Sequence, residues 1–165
     1  MLSVLQLDHF AKILCWGLRT ARKESFRPGD TVLVRFDASG LPLAEKVYVA
    51  LVEARLQPVI QLLETPPMEK AFFESAGEDQ LDRLLPGLTQ LTEALNGLIH
   101  ISAPASLTHL RRVDARRIGR AVKAKKSLMD IRRRREEAGK LGWTLCTFPT
   151  EALAVQAGLS LAHYE

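Results

Sequence analysis

A chain of 165 residues is the length of one domain, and with 47% hydrophobic and 25% charged residues it has the composition of a globular protein rather than a disordered one. No stretch approaches the ~18 apolar residues of a membrane helix, and the opening MLSVLQLDHFAKIL lacks the basic segment and cleavage site of a signal peptide. The net charge of +4 is modest, and two cysteines, Cys15 and Cys146, far apart among apolar residues, argue against a disulfide framework or zinc knot and for a reducing, cytoplasmic setting.

Ser3 and Gln6 stand at the S-x-x-Q spacing of a capping box. Behind them Phe10, Ile13, Leu14, Leu18 and Ala21 recur at helical spacing and predict a first helix with that apolar face. Pro28-Gly29-Asp30 is turn chemistry and launches TVLVRFD, residues 31–37, a β-branched run of strand length. PLAEKVYVALVEARL follows, with Leu43, Val47, Leu51 and Ala54 on one helical face. Pro58, tolerated at a strand's first residue or an edge, opens PVIQLLE, and Pro66-Pro67 closes it. Helical pieces are predicted around 67–75 and 78–95, the second broken near Pro86-Gly87, with Leu88, Leu91 and Leu95 as a packing stripe. Asn96-Gly97, both tolerant of left-handed backbone, stop that helix. LIHIS at 98–102 is the third strand, and Asp114 is an N-cap for a long basic helix over roughly 115–138. WTLCTFP at 143–149 is the fourth strand, followed by a short helix over 150–157.

Strands that are short continuous apolar runs are expected where helices cover both faces of a sheet, and right-handed crossovers make such strands mostly parallel. The predicted fold is therefore a single α/β domain spanning 1–165: a mostly parallel, doubly wound sheet of about four or five strands with helices on both faces. The sequence holds no internal repeat and no linker.

In such a sheet ligands gather beyond the carboxyl ends of the strands. The sequence offers Asp37, Ser39 and Gly40 there, then Glu64, then Ser102, then Thr147 and Thr150. DASG after the first strand is neither of the glycine-rich phosphate motifs and reads as an ordinary strand-to-helix loop. His9, His100, His109 and His163 form no i, i+4 pair and no cluster with acids at ligand spacing. His100 reads as a satisfied core histidine, Glu64 as a helix cap or surface ion pair, and Cys146 as a poor nucleophile. No catalytic, cofactor-binding or metal-ligating residue is assigned to this chain.

Charge is unevenly spread. Residues 111–140 carry 13 Lys/Arg against 4 Asp/Glu, a net +9, while the remainder carries 10 against 15, a net −5. Arg116, Arg117, Arg120, Lys123, Lys126 and Arg132 to Arg135 would suit phosphates, so one reading is a free-standing module that holds nucleic acid or another polyanion. Against it, Ile118, Val122, Met129 and Ala121 form an apolar stripe, so the helix covers the sheet, and no aromatic residue interleaves with the basic ones to stack bases. A charged solvated face, or one that meets an acidic neighbour, is the simpler reading.

RPGDTVLVR, PVIQLLE, IHISAPAS with VDARR downstream, and GWTLCTFPTEALAVQAGLSLAHYE occur in one familiar order. Together they resemble the N-terminal domain of the thermophilic metalloaminopeptidases, the aminopeptidase S and T type, often labelled leucyl aminopeptidase-like. The resemblance covers essentially the whole chain and is most specific in the closing block. It implies a two-domain enzyme, homodimeric at full length, that releases N-terminal amino acids from peptides. Its C-terminal domain, expected beyond residue 165, carries two divalent metal ions, such as zinc or cobalt, held by Glu, His and Asp. Paired metals of that kind polarise a carbonyl and lower the pKa of a bridging water. The resemblance makes this segment the non-catalytic partner of that domain, inactive alone, and residue 165 a domain junction.

Overall fold

The structure is a computed structural model that describes residues 2–165. Ser3 opens α1 (Val4–Ala21) through the expected capping box: its hydroxyl accepts from the Gln6 N–H, and Gln6 Oε1 accepts from the Ser3 N–H at 2.8 Å. The buried face of α1 runs Leu7, Ala11, Leu14, Cys15, Leu18. Phe10 and Ile13, expected on that face, are instead 38% and 51% exposed. Each sits one position before a buried residue, and one position is about 100° around a helix, so the predicted stripe was out of phase.

β1 (Thr31–Phe36) leads through a single 3-10 turn at Ala38–Gly40 into α2 (Leu41–Glu53) and β2 (Gln57–Leu62). The connection to β3 (Gly97–Ser102) is made by α3 (Pro66–Ser75), α4 (Glu78–Leu81) and α5 (Leu88–Ala94). The break predicted at Pro86-Gly87 is present, with Gly87 at φ +80° as the N-cap of α5. Asn96 does not stop α5 by a left-handed turn. It bridges strands instead, its side-chain oxygen accepting from Thr31 N–H at 2.9 Å while its carbonyl accepts from Gly142 N–H at 3.2 Å. The basic segment is not one helix but two, α6 (Ala115–Ala124) and α7 (Lys126–Glu137), joined at Lys125. β4 (Gly142–Thr147), α8 (Glu151–Gln156) and α9 (Leu161–Tyr164) complete the chain.

The sheet has four strands in the order β2-β1-β3-β4, and all three pairings are parallel. Pro58 lies in β2, an edge strand, where its missing N–H costs no ladder bond. One face, the front, carries Val32, Val34, Phe36, Ile99 and Ile101 against Leu43, Val47 and Leu51 of α2 and the buried face of α1. On the back, one apolar row of Leu33, Val59 and Leu98 is covered by Leu91, Leu95 and Leu141. A separate small core forms where α3, α4 and α6 meet, from Phe73, Ala76, Leu81 and Ala121 with Leu110, Val113 and Ile118. Of the stripe expected along 118–129, Ile118 and Ala121 do pack, but Val122 and Met129 are exposed, and Leu128 and Ile131 are buried in their place. The break at Lys125 resets the helical phase. No helix among the described residues is long and apolar enough to cross a membrane.

Two local constraints hold α1 to the sheet. A Cβ on Gly142 would lie 2.6 Å from the Leu18 carbonyl oxygen, so β4 can approach α1 this closely only with glycine. At the far end of α1, buried Arg22 donates from Nη1 to Asp30 Oδ2 at 2.5 Å and stacks over Phe26 at 4.5 Å. Burial alone would raise the Asp30 carboxyl, but hydrogen bonds from Arg22 and the Arg27 N–H, with the charges of both arginines, hold it below its ordinary value.

Three expectations follow from these contacts and their contrast with an open glycine. Gly142→Ala should lower the urea-unfolding stability by about 1–3 kcal/mol, since backbone cannot move aside. Gly119→Ala, mid-helix with nothing near its Cβ, should instead gain about 0.5–1 kcal/mol. Because the folded pKa of Asp30 is depressed, its contribution is present above its unfolded pKa of about 3.9 and is lost as pH falls through the folded value. Asp30→Asn should therefore cost about 1.5–3 kcal/mol at pH 7, and urea titrations should show the gap to the parent protein closing below about pH 4.

Candidate functional site at the carboxyl ends of the strands

The chain leaves β1 for β2 over the front of the sheet through α2 and passes from β3 to β4 through α6 and α7. The two crossovers diverge between β1 and β3, the topological switch point where an open parallel sheet leaves a crevice. A cleft of about 550 Å³ lies there, and its lining includes Asp37, Ser39, Glu64, Glu69, Ser106 and His109. Gly40, buried behind Ser39, packs where a Cβ would meet Ile101 Cγ2 at 2.9 Å and Ala103 Cβ at 3.4 Å, so glycine lets the loop after β1 lie against the end of β3.

Asp37 accepts from the Ala103 N–H at 2.7 Å and so ties the loop after β1 to the loop after β3. Glu64 stands exposed on the rim. It caps no helix and makes no ion pair among the described residues, contrary to expectation. The pair that sequence reading missed is His109 and Glu69, whose Nε2 and Oε2 lie 2.7 Å apart. They are 40 positions apart along the chain, so no local spacing announces them. His109 Nδ1 is buried without a partner.

The other candidates fall elsewhere. Ser102 points to the back of the sheet beyond His100, and Thr147 is exposed on β4. Thr150 is buried, donates to the Pro104 carbonyl at 2.8 Å and caps α8 by accepting from Leu153 N–H at 3.4 Å. It is a fastener behind the cleft. His9 is exposed, and His163 bonds Ser160 Oγ through Nδ1 at 2.8 Å. His100 is not the satisfied core histidine expected, since its Nε2 is buried with no partner. Both cysteines are free, and burial raises both thiols, Cys146 to about 11. Neither is an activated nucleophile.

Carboxylates and an imidazole gathered in one cleft invite a test for metal binding. Among the described residues no group of three or more His, Cys, Asp or Glu could hold an ion. Asp37 is engaged by a backbone amide and Glu69 by His109, which leaves no converging open donors. Among the described residues, the cleft does not fit a metal ion. The cleft can orient an imidazole against a carboxylate and present negative charge to a cation.

The basic segment is largely consumed internally. Arg117 donates to the Phe73 carbonyl from Nε at 2.5 Å and to that of Ala76, closing the end of α3. Arg120 bonds Asp82 through Nε at 2.7 Å and Glu78 through Nη1 at 2.8 Å. Arg135 donates to the Leu95 carbonyl at 2.6 Å. Lys126 and Arg133 share Asp130, and Arg116 pairs with Asp114.

Compared with known proteins, residues 5–165 match the family described as thermophilic metalloprotease (M29). No curated protein matches the sequence. Among solved structures, wild-type AmpT from Thermus thermophilus is similar at a TM-score of 0.62 and 13% identity, over 90% of this chain and 37% of that one. At that identity the likeness is one of fold. The chain spans little more than a third of that protein's length.

Thr150→Val should remove both the α8 cap and the bond to Pro104. The expected cost is about 1–2 kcal/mol in urea unfolding, with faster amide hydrogen exchange confined to α8 and the loop after β3. Uniform exchange across the sheet would contradict the fastener role.

Proposed function

The chain belongs to the thermophilic metalloprotease family, and on that premise we propose that it is the N-terminal, non-catalytic domain of a metal-dependent aminopeptidase. The observation that carries the reading is the reach of the family match, from residue 5 to residue 165, in a chain that corresponds to 37% of AmpT. In this reading the peptide-cleaving centre, with two divalent ions such as zinc or cobalt, belongs to a C-terminal domain of the same protein, which works in the cytoplasm as a homodimer. The N-terminal domain then acts as a scaffold that shapes access to that centre.

Surface chemistry supports a packed partner. Leu5, Ile13 and Trp16 lie exposed along the outer side of α1, and Ile60 and Leu62 lie exposed on edge strand β2. Apolar patches of this kind on a folded domain mark interaction surfaces. The polyanion reading of the basic segment is less well supported, because Arg117, Arg120 and Arg135 already bind carbonyls and carboxylates of their own chain.

Hydrolysis of leucyl-p-nitroanilide tests the proposal. The intact product from the host should exceed the 18.4 kDa of this chain and cleave the substrate when loaded with zinc or cobalt, while the 165-residue chain treated alike should release nothing. Chelator-sensitive cleavage by the 165-residue chain, or a host product that ends at Glu165, would overturn it.

A further inference from the structure

The back of the sheet changes character within one residue step. Its first row, Val59, Leu33, Leu98, Trp143, is apolar. The next row in register is Gln61, Arg35, His100, Leu145. Arg35 and His100 are direct partners on adjacent strands, so their backbones are about 4.8 Å apart. Arg132 joins them from α7: its guanidinium is held below its ordinary value by burial first and then by the charge of Arg35. The same two causes lower His100, with Asp37 opposing.

These three groups stand apart from the other inward-facing arginines. Arg22, Arg117, Arg120 and Arg135 each donate to an oxygen of their own chain. Arg35, His100 and Arg132 make no hydrogen bond or ion pair among the described residues, and the Nε atoms of both arginines and Nε2 of His100 are buried without a partner. Asp37, the one carboxylate acting on the group, is already engaged by the Ala103 N–H. Buried donor atoms left without a partner are costly, and the two guanidinium groups lie close enough for the charge of Arg35 to disfavour that of Arg132. An acceptor with oxygens on several sides would relieve all three at once.

We infer that Arg35, His100 and Arg132 form a binding site for a small tetrahedral oxyanion of the phosphate or sulfate class. Two guanidinium forks, one from β1 and one from α7, engage separate oxygen edges, and the imidazole of β3 donates to a further oxygen. Convergence from three elements suits a tetrahedral ion better than a planar carboxylate. A cavity of about 260 Å³ lined by Arg132, Arg133, Leu98, Met129 and Trp143 places Arg132 over this face of the sheet, beside the row that precedes His100. Glu136 also borders it, but its carboxylate accepts from the Trp143 indole N–H at 2.8 Å. The inference does not depend on the peptidase reading.

The test uses the 165-residue chain and inorganic phosphate at constant ionic strength, with the His100 imidazole followed by proton–nitrogen NMR. Phosphate should raise the His100 pKa saturably, because bound negative charge offsets Arg35, and acetate should bind at least tenfold more weakly. Arg132→Gln should abolish the effect and Arg35→Lys, which keeps the charge but loses the fork, should weaken it at least tenfold. Arg134→Gln, on the exposed side of the same helix and away from the cavity, should leave it intact. The parent-protein titration needs no variant: an unmoved His100 overturns the inference. So does acetate binding as tightly as phosphate, or equal losses in Arg132→Gln and Arg134→Gln, which would mean diffuse attraction.

Discussion

An all-parallel sheet has to be covered on both faces, because neither face can be left to water without exposing a continuous apolar surface. That requirement organises the chain. On the front, α1 and α2 meet it over the central strands, where Val32, Val34, Ile99 and Ile101 have no exposed surface, and leave Ile60 and Leu62 of the edge strand open. α1 reaches far enough over β4 only because Gly142 lets the strand run against the Leu18 carbonyl. On the back the cover stops halfway. Leu91, Leu95 and Leu141 close the apolar row, and above it the sheet turns polar at Arg35 and His100. The small core of α3, α4 and α6 is built beside the sheet rather than on it.

Arginine does much of the joining between these parts. The guanidinium fork reaches carbonyls and carboxylates at fixed angles, and the chain uses it to link separate elements: Arg22 to the turn before β1, Arg117 to the end of α3, Arg120 to α4, Arg135 to Leu95 at the end of α5. In the segment with a net charge of +9, only Arg120 is paired, among the described residues, with carboxylates from outside it, those of Glu78 and Asp82, while Arg117 and Arg135 are fixed in place by carbonyls. The exposed pairs of Arg120 with Glu78 and Asp82 contribute little to stability, whereas the buried bond from Arg22 to Asp30 contributes to both geometry and stability.

Elements with a local signature were legible in the sequence. The four strands, the Ser3–Gln6 and Asp114 caps and the Pro86-Gly87 break all follow from residues within a few positions of one another. What was not legible depends on distant partners. The phase of the α1 face is set by the sheet it meets, and Ile13 lost to Leu7 and Ala11 for that reason. The break at Lys125 has no glycine or proline to mark it. At the cleft, Asp37, Ser39 and Glu64 were correctly located by strand ends, whereas His109 and Glu69 meet across 40 positions. His100 was placed in its strand correctly, but its lack of a partner is a property of its neighbours.

The order β2-β1-β3-β4 also shapes how the chain must assemble. No two strands form a hairpin, and the bond from Thr31 to Asn96 spans 65 positions. The entropy of closing such loops is spent before any ladder bond rewards it, so this domain belongs with the slower folders of its size. Until β3 docks between its neighbours, β1 exposes Val32 and Val34 along an unpaired edge, the kind of segment that seeks pairing with another chain. Helices α1 and α2, adjacent to β1 in sequence and packed on it in the native state, can form early and shield that edge on one side. The order of synthesis, N-terminal elements first, thus works in favour of the native pairing.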